Sequence, residues 1–237
     1  YAFLGKQPEG RYVSSAKKLS NADVGEVVKF GVDPTGPVGG SLLANLIQNP
    51  SLMERVNQGR EVGYIIIFVG LIGIAIAFWK LFQLYTMGVA VAKQAKSKTH
   101  DKTNPLGRVL AVGEEHMGKD IETLELRLAE AIMAERPAIE RGIPVVKIIS
   151  VVAPLAGLLG TVTGMIVTFQ QITLFGTGDP KIMAGGISQA LVTTVLGLVV
   201  AIPTTLLHSF ANSSARGIIN VLEEQSTGIV AEHSDSK

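Results

Sequence analysis

Three uninterrupted apolar runs constrain this chain more than any other feature. Residues 62–79 carry no ionisable side chain except the Tyr64 phenol, 148–178 carry no formal charge, and 182–215 carry no ionisable group except His208. Crossing a hydrocarbon core of about 30 Å takes about 20 residues of helix, so each run is long enough to span a bilayer. The expected fold class is all-α: an integral membrane protein with three transmembrane helices, two of them long and extending into the cytoplasm. Tyr64, Trp79 and Tyr85 suit the two interfaces of the first span, and Lys80 near its end is expected to snorkel towards water.

The segments between the runs set the rest of the layout. Residues 1–61 read as an exported, periplasmic extension, 62–85 as transmembrane helix 1, and 86–147 as a cytoplasmic loop. Residues 148–175 read as transmembrane helix 2, 176–181 as a periplasmic turn, 182–215 as transmembrane helix 3, and 216–237 as a cytoplasmic tail. In the extension, Asp33-Pro34-Thr35-Gly36 suits a type I turn. Ser41 is a candidate N-cap for a helix with Leu42, Leu43, Leu46 and Ile47 on one face. Residues 41–57 read as an amphipathic piece on the membrane surface, although the pattern fits a packed soluble helix equally well. In the middle loop, Ile121, Leu124, Leu128 and Ile132 recur at helical spacing among charges, which predicts an amphipathic helix ending near Pro137. The chain opens on Tyr1 rather than Met, so an upstream piece is expected.

Orientation follows the Lys/Arg bias beside the spans. Lys93, Lys96, Lys98 and Lys102 follow the first span, Arg136, Arg141 and Lys147 precede the second, and the hairpin turn offers only Lys181. The N-terminus is therefore expected in the periplasm and the C-terminus in the cytoplasm, despite Arg55 and Arg60 close to the first span.

Composition excludes several function classes. A formal charge of +1 gives no footprint for nucleic acid, and the absence of cysteine rules out thiolate metal sites, disulfides and cysteine nucleophiles. His100, His116, His208 and His233 are scattered, which predicts no metal site. No glycine-rich phosphate loop or Gly-x-Ser-x-Gly elbow occurs. The chain reads as no enzyme, with no catalytic residue and no cofactor; its medium is the lipid bilayer.

The polar features inside the spans are hydroxyls, amides and small residues in stripes. Gly157, Thr161, Gly164, Thr168 and Gln171 recur at i, i+4, i+7, i+11 and i+14. In the third span Gln189, Thr193, Gly197 and Ala201 recur every four residues, with Thr194 beside them. Close helix packing accounts for such stripes, with hydroxyls bonding across helices at about 0.6 kcal/mol each. The sharper reading is a narrow polar path. Pro154 and Pro203 are expected to kink their helices and free the carbonyls of Ser150 and Val199. None of the spans holds an Asp or Glu. His208 is read first as an interfacial or hydrogen-bonded histidine and second as a proton relay.

The runs APLAGLLGTVTG at 153–164 and GISQALVTTVLGLVVAIP at 186–203 resemble the hallmark helices of the MotA/TolQ/ExbB proton-channel family. One span, a charged loop and two long helices with a short turn follow the same order. The resemblance is closest on the ExbB side, and the lead with its Asp-Pro-Thr-Gly turn resembles the variant often called TtpC. The resemblance implies a membrane-embedded homo-oligomer, a pentamer, in the bacterial inner (cytoplasmic) membrane. It further implies a single-span partner, ExbD- or TolR-like, that supplies an essential Asp, and a TonB-like transducer energised for outer-membrane uptake. By motif position Thr161 matches the pore threonine of the second span and Thr194 that of the third, although periodicity favours Thr193. Thr168, Gln189, Gly157, Gly164 and Gly197 are the further pore-lining candidates. Family members often read Gly-Ile-Ala-Glu-Ala-Leu where this chain has Gln189, which hydrogen-bonds but does not titrate. A non-conducting scaffold that recruits partners through the extension is therefore the first alternative. A solute transporter and a flagellar-type stator fit less well.

Overall fold

A computed structural model describes residues 10–30, 52–97, 101–176 and 180–235. The Asp-Pro-Thr-Gly turn, most of the amphipathic piece and the tip of the hairpin lie outside the described residues. The chain divides into two compact units, Tyr1–Arg55 and Val56–Lys237. In the first, α1 (Gly10–Ser20) is a basic helix with Lys17 and Lys18 in its last turn, where cations favour the helix dipole. A short α2 (Leu52–Gln58) leads into the second unit.

That unit is built on three helices long and apolar enough to cross a membrane: α3 (Arg60–Gln94), α6 (Ile143–Phe175) and α7 (Pro180–Asp235). At 1.5 Å per residue, α7 is about 84 Å long, far more than a hydrocarbon core. The region expected as a separate tail from residue 216 is a continuation of this helix. Ile218, Ile219 and Leu222 are buried there, so apolar spacing carries the helix on after the membrane run ends. Between α3 and α6 lie α4 (Pro105–His116) and α5 (Ile121–Glu140). Among the described residues there is no strand.

The start of α4 follows from local chemistry. Asn104 is extended, its side-chain oxygen accepts from the Gly107 N–H at 2.8 Å, and Pro105 occupies the first turn, where a missing N–H costs nothing. Asp120 caps α5 in the same way through the Thr123 N–H. Pro137 does not end α5, which runs on to Glu140. The helix is closed instead by the Arg141 N–H, which donates to the Pro137 carbonyl at 3.0 Å, and by Gly142. Gly142 has φ +88°, a left-handed conformation that glycine adopts without a Cβ penalty.

Packing differs along the long helices. Away from the hairpin turn, Leu84 and Val91 of α3 join Leu106 and Val109 of α4, Leu124 and Leu128 of α5, and Ala215 and Leu222 of α7 in one aliphatic core. Arg108 forks onto Glu135, with two nitrogen–oxygen distances of 2.7 Å, and ties α4 to α5. The carboxylate holds the guanidinium pKa above its usual value. Nearer the turn the contacts become smaller, among Ile66, Ala153 and Val200. The buried side of α3 reads Gly63, Ile66, Gly70, Gly73, Ala77, Lys80, Leu84, an alternation of three and four residues that suits shallow left-handed crossings.

Lys80 corrects the snorkelling expectation. It sits on that packed face with 3% of its surface exposed, and its ammonium donates to Gln83 Oε1 at 2.9 Å and to the Ala138 carbonyl at 3.1 Å. Ala138 lies in the last turn of α5, where carbonyls lack helical donors and a cation is favoured. Lys80 therefore joins α3 to α5.

Candidate functional site

The α6–α7 hairpin carries almost all the residues singled out from the sequence. Its seam is lined by Gly157, Gly160 and Gly164 on α6, facing Thr193, Ala190 and Gly197 on α7. A Cβ on Gly157 would lie 2.9 Å from the Thr193 carbonyl oxygen and 3.1 Å from the Thr194 Cα; one on Gly164 would lie 3.1 Å from Ala190 Cβ. A Cβ on Gly197 would meet the Ala153 carbonyl at 2.7 Å and the Pro154 Cα at 3.3 Å. The two backbones are thus as close as glycine permits, which is how membrane helices associate when lipid is as apolar as leucine.

This contact decides what the stripes are. Thr193 is fully buried over Gly160, and Thr168, 2% exposed, covers Gly186. Gly157, Gly164, Gly197, Thr168 and Thr193 meet inside the hairpin of a single chain. Gly160, Gly186 and Ala190 belong to the same seam and were not singled out from the sequence. The signal for Gly160 was its spacing, three residues after Gly157 and four before Gly164.

Thr161 and Thr194 stand outside the seam. Both are half-buried, and Thr161 lies one turn from Gly157, whose neighbour across the hairpin is Thr194. The two hydroxyls are therefore within about one turn, some 5.4 Å along the axis, of the same level. Among the described residues of the hairpin, the cross-helix hydroxyl bonds expected from the sequence are not made. Thr161 donates to the Leu158 carbonyl at 2.6 Å, Thr168 to Gly164 at 2.9 Å, Thr193 to Ala190 at 2.8 Å and Thr204 to Val200 at 2.8 Å, all within one helix. Each hydroxyl oxygen keeps lone pairs that can accept.

Pro154 lies inside α6 with its Cα against Gly197, and Pro203 lies inside α7. His208 is half-buried on α7, fourteen residues or about 21 Å along the helix from Thr194. Gln189 does not continue the seam; it opens with Gln171 and Arg60 onto a polar cleft at the turn end of the helices. Among the described residues no group of acidic or histidine side chains is placed to hold a metal. Among its described membrane-run residues the hairpin thus offers hydroxyls and amides.

Residues 101–224, just over half of the chain, match the MotA/TolQ/ExbB proton channel family. The chain is 26% identical over 189 residues to an ExbB homolog of Methanothermobacter thermautotrophicus, covering 73% of this chain and 67% of that protein. It is 48% identical over 58 residues to the biopolymer transport protein ExbB of Aquifex aeolicus, covering 24% of this chain and 39% of that one. With the ExbB of Pseudomonas putida it shares 37% identity over 95 residues, 40% of this chain and 29% of that protein. The matched region spans about two-thirds of the archaeal relative and well under half of the two bacterial ones.

Proposed function

This chain belongs to the MotA/TolQ/ExbB proton channel family, and on that premise we propose that it is a proton-channel subunit of an inner-membrane motor that couples proton motive force to a TonB-type transducer for outer-membrane uptake. One observation carries the reading: a membrane hairpin presents two half-buried hydroxyls beside a closed small-residue seam, in spans without any carboxylate. A single-span ExbD- or TolR-like partner supplies the Asp that takes the proton, and Thr161 and Thr194 orient it and pass the proton on. A proton crossing the membrane potential yields about 2.3 kcal/mol per 100 mV, which drives movement of one subunit set against the other.

The chain acts as a homo-oligomer, a pentamer with α6 and α7 around a central pore and α3 towards lipid. What supports assembly is how little of each span is covered within one chain: 28%, 33% and 33% of their most apolar stretches are buried. Exposed Leu155, Leu159, Val162 and Ile166 on α6, with Leu191, Val195 and Leu198 on α7, are free to meet other copies and lipid. In this placement the hairpin turn and the N-terminal extension face the periplasm, and the α4–α5 core and the end of α7 face the cytoplasm.

Gln189 favours a second reading, a non-conducting scaffold that recruits partners through the extension. Mass measurement of the complex purified through an untagged chain separates the two. Five copies around single-span helices bearing a membrane Asp are expected; a monomer, or a complex with no such helix, contradicts the channel reading.

A further inference from the structure

Beyond the proton pathway, the turn end of the three membrane helices holds a polar cleft of about 370 Å³. Its walls come from three places in the chain: Asn57, Gln58 and Arg60 at the α2–α3 junction, Gln171 near the end of α6, and Gln189 with Gly186 near the start of α7. It therefore forms only when all three spans are packed.

Arg60 and four side-chain amides, those of Asn57, Gln58, Gln171 and Gln189, bring hydrogen-bond donors to this cleft. Asn57 Oδ1 already accepts from the Tyr64 hydroxyl at 2.6 Å, and Gln58 Oε1 accepts from the Ser188 hydroxyl at 3.2 Å. With one lone pair of each oxygen taken up, the amide NH2 groups of Asn57 and Gln58 remain available to donate. The Arg60 guanidinium lines the same cleft and has no ion-pair partner among the described residues. Among the described residues no carboxylate lines the cleft; Glu61, next in sequence, is exposed and lies outside the lining set.

The backbone at Arg60 carries independent weight. Its φ is +46°, the one left-handed non-glycine conformation among the described residues. Strained conformations of this kind persist where the surrounding structure over-determines them and cluster at ligand sites. Glycine would relax the bend between α2 and α3, so the position holds a guanidinium at the expense of backbone ease.

Depth in the membrane selects the ligand class. Tyr64, Ile65 and Phe68, all exposed, begin the apolar surface of α3 just beyond Arg60, so the cleft opens at the headgroup level. A guanidinium in one cleft with several amide donors matches the oxygens of a phosphate, the anion present at that level of a bilayer.

We propose that this cleft is a binding site for one phosphate group, held by Arg60 and the Asn57 and Gln58 amides, and offered by an anionic phospholipid headgroup or by free phosphate. The site rests on the membrane placement of the spans and not on the proton pathway, so proton flux and phosphate binding can fail separately.

The test uses the full chain with any subunits that co-purify, in nanodiscs of zwitterionic lipid mixed with phosphatidylglycerol, and counts retained lipid by native mass spectrometry. A second arm titrates inorganic phosphate into the detergent-solubilised protein and follows the 31P line width. Arg60→Gln and Arg60→Gly are each expected to lower phosphate-group retention about tenfold, the loss of one charge-assisted contact. Arg60→Gly is expected to melt no lower than the parent, which separates lost binding from lost fold. Enrichment of phosphatidylglycerol identifies the lipid source, and saturable broadening without it identifies free phosphate. Equal retention in both variants, or preference for acetate or an acidic peptide over phosphate, overturns the proposal.

Discussion

Thr161→Val combined with Thr194→Val is expected to abolish energised uptake while leaving the assembled complex intact. Valine keeps the branched shape of threonine and puts a methyl in place of the hydroxyl, so packing beside the seam is preserved. Thr161 spends its proton on the Leu158 carbonyl of its own helix, and loss of that local bond costs the fold only about 1 kcal/mol. Towards a partner carboxylate the same oxygens matter more. Hydrogen bonds to charged groups contribute about 1.5–3 kcal/mol, and each 1.36 kcal/mol added to a barrier slows a step about tenfold. Two such losses in series bring uptake to background. The check is cargo uptake in cells beside the size and yield of the purified complex; full uptake in the double variant contradicts the assignment of both residues.

Gly160→Val is expected to have the largest effect on the fold itself. A Cβ at this position falls on the Thr193 side chain. The helices cannot slide to make room, because Gly157 and Gly164 hold the same backbones together on either side. Forcing extra carbons into such a contact costs about 1–3 kcal/mol or more, and the seam loses dispersion contacts along its length. The expected result is a sharp drop in melting temperature and in complex yield. Adding Thr193→Gly should recover part of the loss, since the two positions share one space. Gly88→Ala, where a Cβ meets nothing within 4 Å, serves as the harmless counterpart.

These expectations show where one-dimensional reading succeeds. The spans were legible because an uncharged run longer than a bilayer admits few structures, and α5 was legible from Ile121, Leu124, Leu128 and Ile132. The extent of α7 was not, since its far half mixes charges with Ile218, Ile219 and Leu222, and burial there depends on α4 and α5 arriving alongside. The helix from Pro105 escaped notice for want of a long apolar period, although Asn104-Pro105 is a start signal.

Within the hairpin, periodicity picked out Gly157, Gly164, Thr168, Thr193 and Gly197, which meet in one seam, but not what each touches. Thr193 and Thr194 differ by one position, about 100° of helix, and only the presence of Gly160 opposite makes the first a packing residue and leaves the second half open. Lys80 and Arg60 were equally opaque. A lysine at a span end fits snorkelling until the Ala138 carbonyl is seen beside it, and no local pattern announces that Arg60 is held at φ +46°.

The central claim is that the chain supplies hydroxyl-lined walls and borrows its acid. Proton flux into liposomes under an imposed potential tests it most directly, with the purified chain alone and with its single-span partner. The account predicts no flux above empty liposomes from the chain alone and clear flux once the partner and its Asp are present. Equal flux from the chain by itself would contradict it.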